Sequence, residues 1–165
     1  MIYIFDLDGT LCDLTHRLHL LPKNLPDHRR RSDSWRDFEE QCWRDKGILA
    51  VLNILQALWV GGHVVYICTA RHDFTRDMTI DWLHQHMPSI PREWWGSAVD
   101  TRLFMRPAGD RRKDVELKRD WLNTRFAKGG FDRQQIACVF EDRQRVVDMW
   151  REEGLQCLQV APGNF

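Results

Sequence analysis

The sequence predicts an α/β fold: a Rossmann-like three-layer sandwich with a mainly parallel central sheet and a small helical cap inserted after the first strand. Short unbroken apolar runs, such as 1–5, are typical of parallel strands that are buried on both faces. Longer segments with helical apolar spacing separate these runs, which implies right-handed crossovers. Because the segment 11–62 is too long for one crossover helix, we expect a single domain over 1–165 with a cap at about 11–47.

Glycine, proline and polar residues mark the ends of the predicted elements. The helix over 48–60 stops at two glycines, and the helix over 73–87 stops at a proline. Further strands are predicted at 64–68, 103–105, 136–140 and 157–160, and further helices at 11–21, 35–43, 114–128 and 146–153. The segment 91–99 is irregular or a short helix. The polar loop 21–34 carries an arginine run, 29–31, which is either a solvated surface or a track for a nucleic-acid backbone.

Composition narrows the class of protein without indicating a ligand. The 24 basic and 24 acidic residues balance, so net charge neither favours nor excludes nucleic acid. The five cysteines are scattered without a CxxC pair, which predicts neither a zinc site nor a disulfide framework and fits a reducing compartment. With no signal-peptide pattern and no apolar run of about 18 residues, we expect a cytoplasmic protein that does not bind membranes.

Polar residues follow three of the predicted strands: Asp6 and Asp8, then Thr69 and Arg71, then Glu141 and Asp142. Open α/β sheets bind ligands at the carboxyl ends of their strands, so we expect these side chains to converge. Four carboxylates at one place require a cation, because like charges raise each other's pKa, and hard oxygen ligands suit Mg²⁺. The alternative is an ordinary Asp-Gly turn after the first strand and a helix N-terminus after the fourth.

The chain resembles the haloacid dehalogenase-like (HAD) phosphohydrolases in four motifs that occur in that family's order. The first is the sequence from Asp6 to Thr10, and the other three are Thr69, Lys118 and the pair Glu141-Asp142. Over 109–118, 141–151 and 159–165 the chain is most similar to the 3′-phosphatase domains of T-even phage polynucleotide kinase–phosphatases. It departs from that pattern at 141–142, where those domains have Asp-Asp, at 69–71, where they have Ser-Gly-Arg, and in its longer first insertion.

The resemblance implies a phosphatase mechanism. Asp6 would attack phosphorus to form an aspartyl-phosphate, and Asp8 would serve as the general acid and then the general base. Thr69 would bind phosphate oxygens. Lys118 would stabilise both the Asp6 anion and the phosphoryl group in transfer.

The resemblance also implies how Mg²⁺ would be held. The carboxylates of Asp6 and Asp142 and the main-chain carbonyl of Asp8 would be the ligands. Glu141 would orient Asp142 or a metal-bound water rather than bind the metal directly.

Four arginines are expected at the mouth of the site: Arg17, Arg71, Arg106 and Arg143. The guanidinium fork suits phosphate oxygens, so these arginines are candidate substrate ligands together with Thr69, although Arg143 has a structural alternative. Asp114 lies one helical turn before Lys118, and we include it because it is placed to hold that lysine at the substrate.

The eight tryptophans divide into two groups. Four have helical apolar spacing and are predicted core residues: Trp59, Trp82, Trp121 and Trp150. The remaining four lack that pattern, and one of them is a candidate platform for a nucleic-acid base: Trp35, Trp43, Trp94 and Trp95.

Three functions are compatible with these residues. We expect a Mg²⁺-dependent phosphomonoesterase that removes 3′-phosphate from DNA or RNA ends. The alternative is a small-molecule phosphatase that acts on nucleoside monophosphates. The third is a non-catalytic module that binds nucleic-acid ends, against which the pairing of a nucleophile with a general acid argues. The expected substrates are phosphorylated polynucleotide ends or nucleotides, and no feature predicts a protein partner.

Overall fold

The computed structural model describes residues 1–22, 34–96, 101–126 and 130–163, which contain seven strands. These are β1 (Ile2–Phe5), β2 (Cys12–Asp13), β3 (Lys46–Gly47), β4 (Val64–His72), β5 (Leu103–Arg106), β6 (Ile136–Glu141) and β7 (Cys157–Gln159). Five of them form a parallel sheet in the spatial order β5-β4-β1-β6-β7, and β2 pairs antiparallel with β3. The predicted mainly parallel sheet is confirmed.

Helices connect these strands. The α-helices are α1 (Ser34–Glu39), α2 (Leu49–Val60), α3 (Arg76–His86), α4 (Arg92–Gly96), α5 (Asp114–Trp121) and α6 (Gln144–Glu152). Short 3₁₀ helices cover Thr15–Leu20, Cys42–Arg44, Asp73–Thr75 and Arg133–Gln135, and a π-helical turn, Leu122–Phe126, continues α5. The arginine run 29–31 lies outside the described residues, as do 127–129 of the helix expected over 114–128.

The helix predicted over 11–21 is wrong. The carbonyl of Leu7 accepts the backbone N–H groups of Thr10, Leu11 and Cys12, which makes a tight turn instead of a helical start. Cys12 then pairs with Gly47 in β2 and β3, and only the later part of the segment coils, as a 3₁₀ helix.

The strands are unbroken apolar runs because a hydrophobic core lies on each face of the sheet. Successive side chains of a strand point to opposite faces of the sheet. Phe5 and Ile67 therefore belong to the core under α2 and α3, whereas Ile4 and Cys68 belong to the core under α5 and α6. Because both faces are covered by helices, no polar position is left within these runs.

The carboxyl end of β1 places the first motif. β1 lies at the centre of the sheet, and Asp6, which directly follows it, still donates its N–H to the carbonyl of Phe140 at 2.9 Å. Gly9 has φ +88°, a left-handed conformation that glycine adopts without strain and that turns the chain back after Asp8. Asp6 and Asp8 are thus fixed at the edge where the flanking strands also end.

Two strands are longer than predicted. β4 continues to His72, which pairs with Arg106, so Thr69 and Arg71 lie within the strand and not after it. β6 likewise includes Glu141, which pairs with Gln159 of β7. Polar residues can extend these strands because a neighbouring strand still receives their backbone hydrogen bonds.

No helix in the described ranges is long and apolar enough to cross a membrane. The 11–47 segment contains β2, β3, α1 and two of the 3₁₀ helices, and its status as a separate cap stays a prediction.

Candidate active site

A cleft of about 1020 Å³ lies at the carboxyl ends of the central strands. Most of the predicted site residues line it: Asp6, Asp8, Thr69, Arg71, Arg106, Asp114, Lys118, Glu141 and Arg143. The other two lie behind this lining, since Arg17 is bonded to the carboxylate of Asp8 and Asp142 adjoins Glu141. The structure therefore brings together at one cleft residues that are far apart in the sequence.

Three carboxylates form the first of two acidic groups, which we call the open cluster: Asp6, Glu141 and Asp142. Their nearest oxygen atoms all lie within 4.8 Å of one another. The ammonium of Lys118 donates to Asp6 Oδ1 at 2.6 Å and to Glu141 Oε2 at 2.7 Å. Lys118 is buried, so solvent does not weaken these two bonds.

Asp142 is the incomplete member of the open cluster. It is 1% exposed, and neither of its carboxylate oxygens has a hydrogen-bond partner among the described residues. A buried carboxylate without a partner is costly, and metal coordination is one of the few arrangements that removes the cost. With two further carboxylates in reach, the donor set fits a hard divalent cation.

The pKa values of the open cluster show the same excess of negative charge. Burial, followed by the charge of Glu141, raises the pKa of Asp6 to about 7 in spite of Lys118. Burial, followed by the charges of Asp6 and Glu141, raises the pKa of Asp142 to about 8. One lysine therefore does not balance three carboxylates.

The second acidic group, which we call the arginine-filled cluster, consists of Asp8, Asp45, Arg17 and Arg71. Arg17 donates to Asp8 Oδ1 at 2.7 Å and to both oxygens of Asp45, at 2.7 and 2.6 Å. Arg71 donates to both oxygens of Asp8 and, at 3.1 Å, to Asp45 Oδ2. Two guanidiniums thus face two carboxylates, and both arginines are almost fully buried.

This pairing decides the charge of Asp8. Burial alone would raise the pKa of Asp8, but the guanidiniums of Arg71 and Arg17 outweigh it and hold that pKa well below its ordinary value. Asp8, Cys12 and Asp45 are also close enough to share a metal ion. The two guanidiniums already supply the positive charge there, so the open cluster is the better candidate for a metal site.

Asp45 is the main site residue that sequence reasoning missed. Its side chain is fully buried, and His16 Nε2 also contacts it at 2.9 Å. Glu39 was missed as well: it accepts from the backbone N–H of His72 at 2.9 Å and contacts the ring of His72 at 2.8 Å. Neither acid belongs to a motif, and the only available signal was that the long first insertion had to contact the site.

The expected contact between Asp114 and Lys118 is replaced by others in the described structure. Asp114 accepts bonds from Arg143 at 2.8 Å and from Arg145 at 2.7 Å. Burial opposes the charged form of Asp114, but these two arginines lower its pKa well below the ordinary range. Asp114 therefore fixes arginines at the rim of the cleft, while Lys118 is held by Asp6 and Glu141.

Arg106 and Thr69 are also engaged within the protein. Arg106 donates to the carbonyls of Ala70, at 2.9 Å, and Arg112, at 2.6 Å, so it ties the loop 107–113 to β4. The hydroxyl of Thr69 accepts the backbone N–H of Arg71 at 3.1 Å. Both residues still line the cleft, and their contact with substrate stays a prediction.

One family model matches the whole chain. A family model described as the polynucleotide kinase PNKP phosphatase domain matches residues 1–165. The chain is 26% identical over 149 residues to a protein of Autographa californica nuclear polyhedrosis virus that is described as a bifunctional polynucleotide kinase/RNA ligase. That match covers 89% of this chain and 17% of the viral protein.

Solved structures share the fold. A chain in the Pnkp1/Rnl/Hen1 RNA repair complex is 26% identical, with a TM-score of 0.66, over 99% of this chain and 43% of that chain. A HAD hydrolase from Entamoeba histolytica is 13% identical, with a TM-score of 0.66, over 99% of this chain and 85% of its own. A class C acid phosphatase from Bacillus anthracis is 16% identical, with a TM-score of 0.62, over 99% and 67%.

These relatives set the scope of the assignment. The chain spans less than half the length of the viral protein and of the repair-complex chain. Because that chain comes from a complex of several proteins, the expectation of no protein partner stays a prediction. Phosphatases of the HAD superfamily are generally metal-dependent, and the open cluster is a candidate metal site. The chain is a HAD-superfamily phosphatase, and it belongs to the family of polynucleotide kinase PNKP phosphatase domains.

Proposed function

We propose that this phosphatase removes 3′-phosphate from polynucleotide ends, that it requires Mg²⁺, and that it forms an aspartyl-phosphate on Asp6. The observation that carries the proposal is the geometry of Asp6. Its carboxylate lines the cleft, is bonded to Lys118 at 2.6 Å, and lies beside Asp142, whose oxygens have no partner among the described residues. An aspartate in this setting is a nucleophile with charge compensation at hand.

The first step transfers the phosphoryl group to the protein. A carboxylate oxygen of Asp6 attacks phosphorus, and the bond between phosphorus and the 3′-oxygen of the sugar breaks. The departing oxygen takes a proton from Asp8. Lys118 stays within reach of Asp6 and of the charge that develops on the phosphoryl oxygens.

The second step releases phosphate. Water attacks phosphorus while Asp8 takes its proton, and the Asp6 carboxylate and inorganic phosphate are formed. Arg71 and Arg17 hold Asp8 as a carboxylate in the free protein, the form that this step requires. For the first step Asp8 must carry a proton. Because Arg71 lines the cleft, a bound phosphate competes with Asp8 for its guanidinium, and this competition favours protonation of Asp8.

A magnesium ion would be held by the carboxylates of Asp6 and Asp142 and by the main-chain carbonyl of Asp8. When bound, it supplies positive charge between nucleophile and phosphate. Glu141 would hold Lys118 and Asp142 in position, because it accepts a bond from the Lys118 ammonium and, at 3.3 Å, from the backbone N–H of Asp142. The assignment is supported by the unpaired oxygens of Asp142.

The size of the cleft is compatible with a polynucleotide end. Sites for small molecules are about 300–1,000 Å³, and this cleft, at about 1020 Å³, lies at the upper limit of that range. The viral relative's description names polynucleotide kinase and RNA ligase, and another relative belongs to an RNA repair complex. A substrate of this kind, and the cysteine content, fit the proposed cytoplasmic location.

One assay tests the function. A 3′-phosphorylated oligonucleotide, a 3′-mononucleotide and a 5′-mononucleotide are each offered with Mg²⁺, and Asp6→Asn is the control. We expect the oligonucleotide to be dephosphorylated with the highest kcat/KM, and Asp6→Asn and EDTA to abolish turnover. Turnover of mononucleotides alone would replace the proposal with a nucleotidase. Oligonucleotide binding without turnover of any phosphomonoester would replace it with a binding module.

A further inference from the structure

We propose that Trp35 is the platform on which the 3′-terminal base stacks, and that Arg111 and Lys113 hold the next phosphate along the strand. This inference rests on the proposed function and specifies how the cleft recognises its substrate. It joins two parts of the cleft lining that the phosphatase chemistry leaves unused. One is an apolar part from the first insertion, and the other is a cationic part from the loop after β5.

The apolar part consists of Leu21, Pro22, Trp35 and Phe38. Leu21 and Phe38 are buried, but Trp35 is 43% exposed although it lines the same cleft as Asp6. Its ring packs edge-on against Phe38, with centroids 5.9 Å apart and an angle of 81° between the rings. Phe38 in turn lies under the guanidinium of Arg17, at 4.2 Å. The ring of Trp35 is therefore braced against the arginine-filled cluster and still open to the cleft.

Exposure alone does not make a tryptophan a binding residue, and Trp43 shows the difference. Trp43 is 60% exposed, and Arg44 lies over its ring at 5.7 Å, but it is not part of the cleft lining. Single exposed apolar residues are common on protein surfaces. Trp35 differs because it shares a cleft with the proposed nucleophile, where a base attached to the reacting phosphate must lie.

The cationic part lies in the loop before α5. Arg112 in this loop is paired, with Asp110 at 2.7 Å and with Asp120 at 3.3 Å. Arg111 and Lys113 are exposed and line the cleft, and within the described part of the chain neither side chain forms an ion pair with a carboxylate. Cations that are not neutralised by the protein are available for the phosphates of a nucleic acid.

Together the two parts match a strand end better than a single nucleotide. Both substrates have a base that can stack on Trp35, because every base has a π face. Only the strand has a second phosphate, next to the terminal nucleoside, for Arg111 and Lys113. The proposal therefore separates the two contacts: Trp35 recognises the base in either substrate, and the two cations recognise the continuing strand.

Steady-state kinetics with three substrates tests both contacts. The substrates are a 3′-phosphorylated oligonucleotide, a 3′-mononucleotide and glycerol 2-phosphate, which has no base. We expect Trp35→Ala to lower kcat/KM for the first two about 5- to 150-fold relative to glycerol 2-phosphate, mainly through KM. Trp35→Phe, which keeps an aromatic face, restores most of this loss. Trp43→Ala is the matched control and leaves all three values unchanged.

The double variant Arg111→Ala/Lys113→Ala tests the cationic part. We expect a higher KM for the oligonucleotide and not for the mononucleotide, and a shallower salt dependence of oligonucleotide KM, by about 0.7 in log–log slope for each charge. An equal loss on all three substrates after Trp35→Ala, or no loss, would overturn the base platform. Equal effects of the double variant on both nucleotide substrates, or none, would overturn the phosphate contact.

The same data separate this inference from the proposed function. If the wild-type protein turns over only the mononucleotide, the proposed function is wrong, and so is the proposed phosphate contact of Arg111 and Lys113. The effect of Trp35→Ala on mononucleotide KM then still decides the base platform. If the oligonucleotide is the preferred substrate but Trp35→Ala behaves as wild type, the function stands and the platform is wrong.

Discussion

The two acidic clusters beside β1 begin two residues apart, at Asp6 and Asp8, and are neutralised in different ways. In the arginine-filled cluster, two guanidiniums face two carboxylates, and both oxygens of each acid are bonded. In the open cluster, a single ammonium faces three carboxylates, and Asp142 has no bond to either carboxylate oxygen among the described residues. Complete pairing predicts that the arginine-filled cluster stabilises the fold while it holds Asp8 in place, and the deficit makes the open cluster the candidate site for a cation.

The largest expected effect comes from the open cluster. We expect Asp142→Asn to lower kcat/KM for a 3′-phosphorylated oligonucleotide about 1,000-fold, because a metal ion contributes several kcal/mol to such reactions. Steady-state kinetics at saturating Mg²⁺ measures this. Asp148→Asn, an exposed aspartate of α6, is the matched control and keeps wild-type activity. An Asp142→Asn protein within tenfold of wild type would remove the open cluster as the metal site.

The arginine-filled cluster should instead respond in stability. Asp45→Ala leaves Asp8 as the one carboxylate bonded to Arg17 and Arg71 among the described residues, and removing one partner from a buried ionic group costs about 3–5 kcal/mol. Urea unfolding measures this loss in the free energy of unfolding. Asp81→Ala, which breaks the exposed pair with Arg92, is the control and should cost at most about 1 kcal/mol. A comparable cost for the two variants would show that the buried network contributes no more than a surface pair.

Binding of Mg²⁺ should stabilise the folded protein through the open cluster. At 100 times its Kd, a ligand that binds only the folded state adds about 2.7 kcal/mol, which raises Tm by about 5–10 °C in a domain of this size. Thermal unfolding with and without EDTA measures the shift. We expect Asp142→Asn to lose most of it and Asp148→Asn to keep it. An equal shift in Asp142→Asn would place the bound ion elsewhere.

A smaller effect is expected from the glycine that covers Asp142. A Cβ at Gly163 would lie 1.9 Å from Asp142 Oδ2, so Gly163→Ala must displace the carboxylate or the chain. Changes next to metal ligands cost about 10-fold or more in metal affinity. A Mg²⁺ titration of Tm or activity measures the apparent Kd. Gly96→Ala, whose Cβ would lie 3.5 Å from Ile80, is the control. Equal apparent Kd values for the two variants would contradict this arrangement.

The smallest effect is a pH dependence that only one cluster contributes. Without metal, Asp142 has a pKa of about 8 in the folded state, whereas in the unfolded state it loses its proton near pH 4. Because the folded state then binds more protons than the unfolded state, the free energy of unfolding falls as pH rises. Between pH 7 and pH 8 we expect a loss on the order of 1 kcal/mol in EDTA and none in Mg²⁺. Asp8, whose pKa is lowered, is ionised in both states there and loses its contribution only in acid. Urea unfolding in EDTA that is independent of pH between 7 and 8 would contradict the excess charge of the open cluster.

The sequence predicted the open cluster better than the arginine-filled one. Apolar runs locate strand ends, and parallel strands bring their ends to one edge, so Asp6, Glu141 and Asp142 could be placed together from local patterns. The position of Lys118 required the family resemblance, because a helical lysine has no pattern of its own. Local patterns also gave the two-sided burial of β1 and β4, since side-chain alternation follows from the backbone.

The arginine-filled cluster depends on contacts that no local pattern encodes. Arg17 and Asp45 are 28 residues apart in the sequence, and they contact each other because β2 pairs with β3. The predicted helix over 11–21 was incompatible with that pairing. The contact expected between Asp114 and Lys118 is replaced for a related reason. Helical spacing places Asp114 on the same face as Lys118, but its carboxylate is bonded to two arginines from the segment after β6. Tertiary partners decided these contacts over neighbours in the same helix.

The arginine-filled cluster also sets how the segment 11–47 can be exchanged between proteins. Arg17 and Asp45 both belong to that segment, whereas Asp8 lies in the turn after β1 and Arg71 lies in β4, so each side contributes one acid and one base. A chimera that removes the whole segment leaves Asp8 paired with Arg71, so no charge of the arginine-filled cluster is left unpaired. A graft that brings only one of Arg17 and Asp45 buries an unmatched charge. We therefore expect the segment 11–47 to be exchangeable only as a unit that keeps Arg17 and Asp45 together, and not residue by residue.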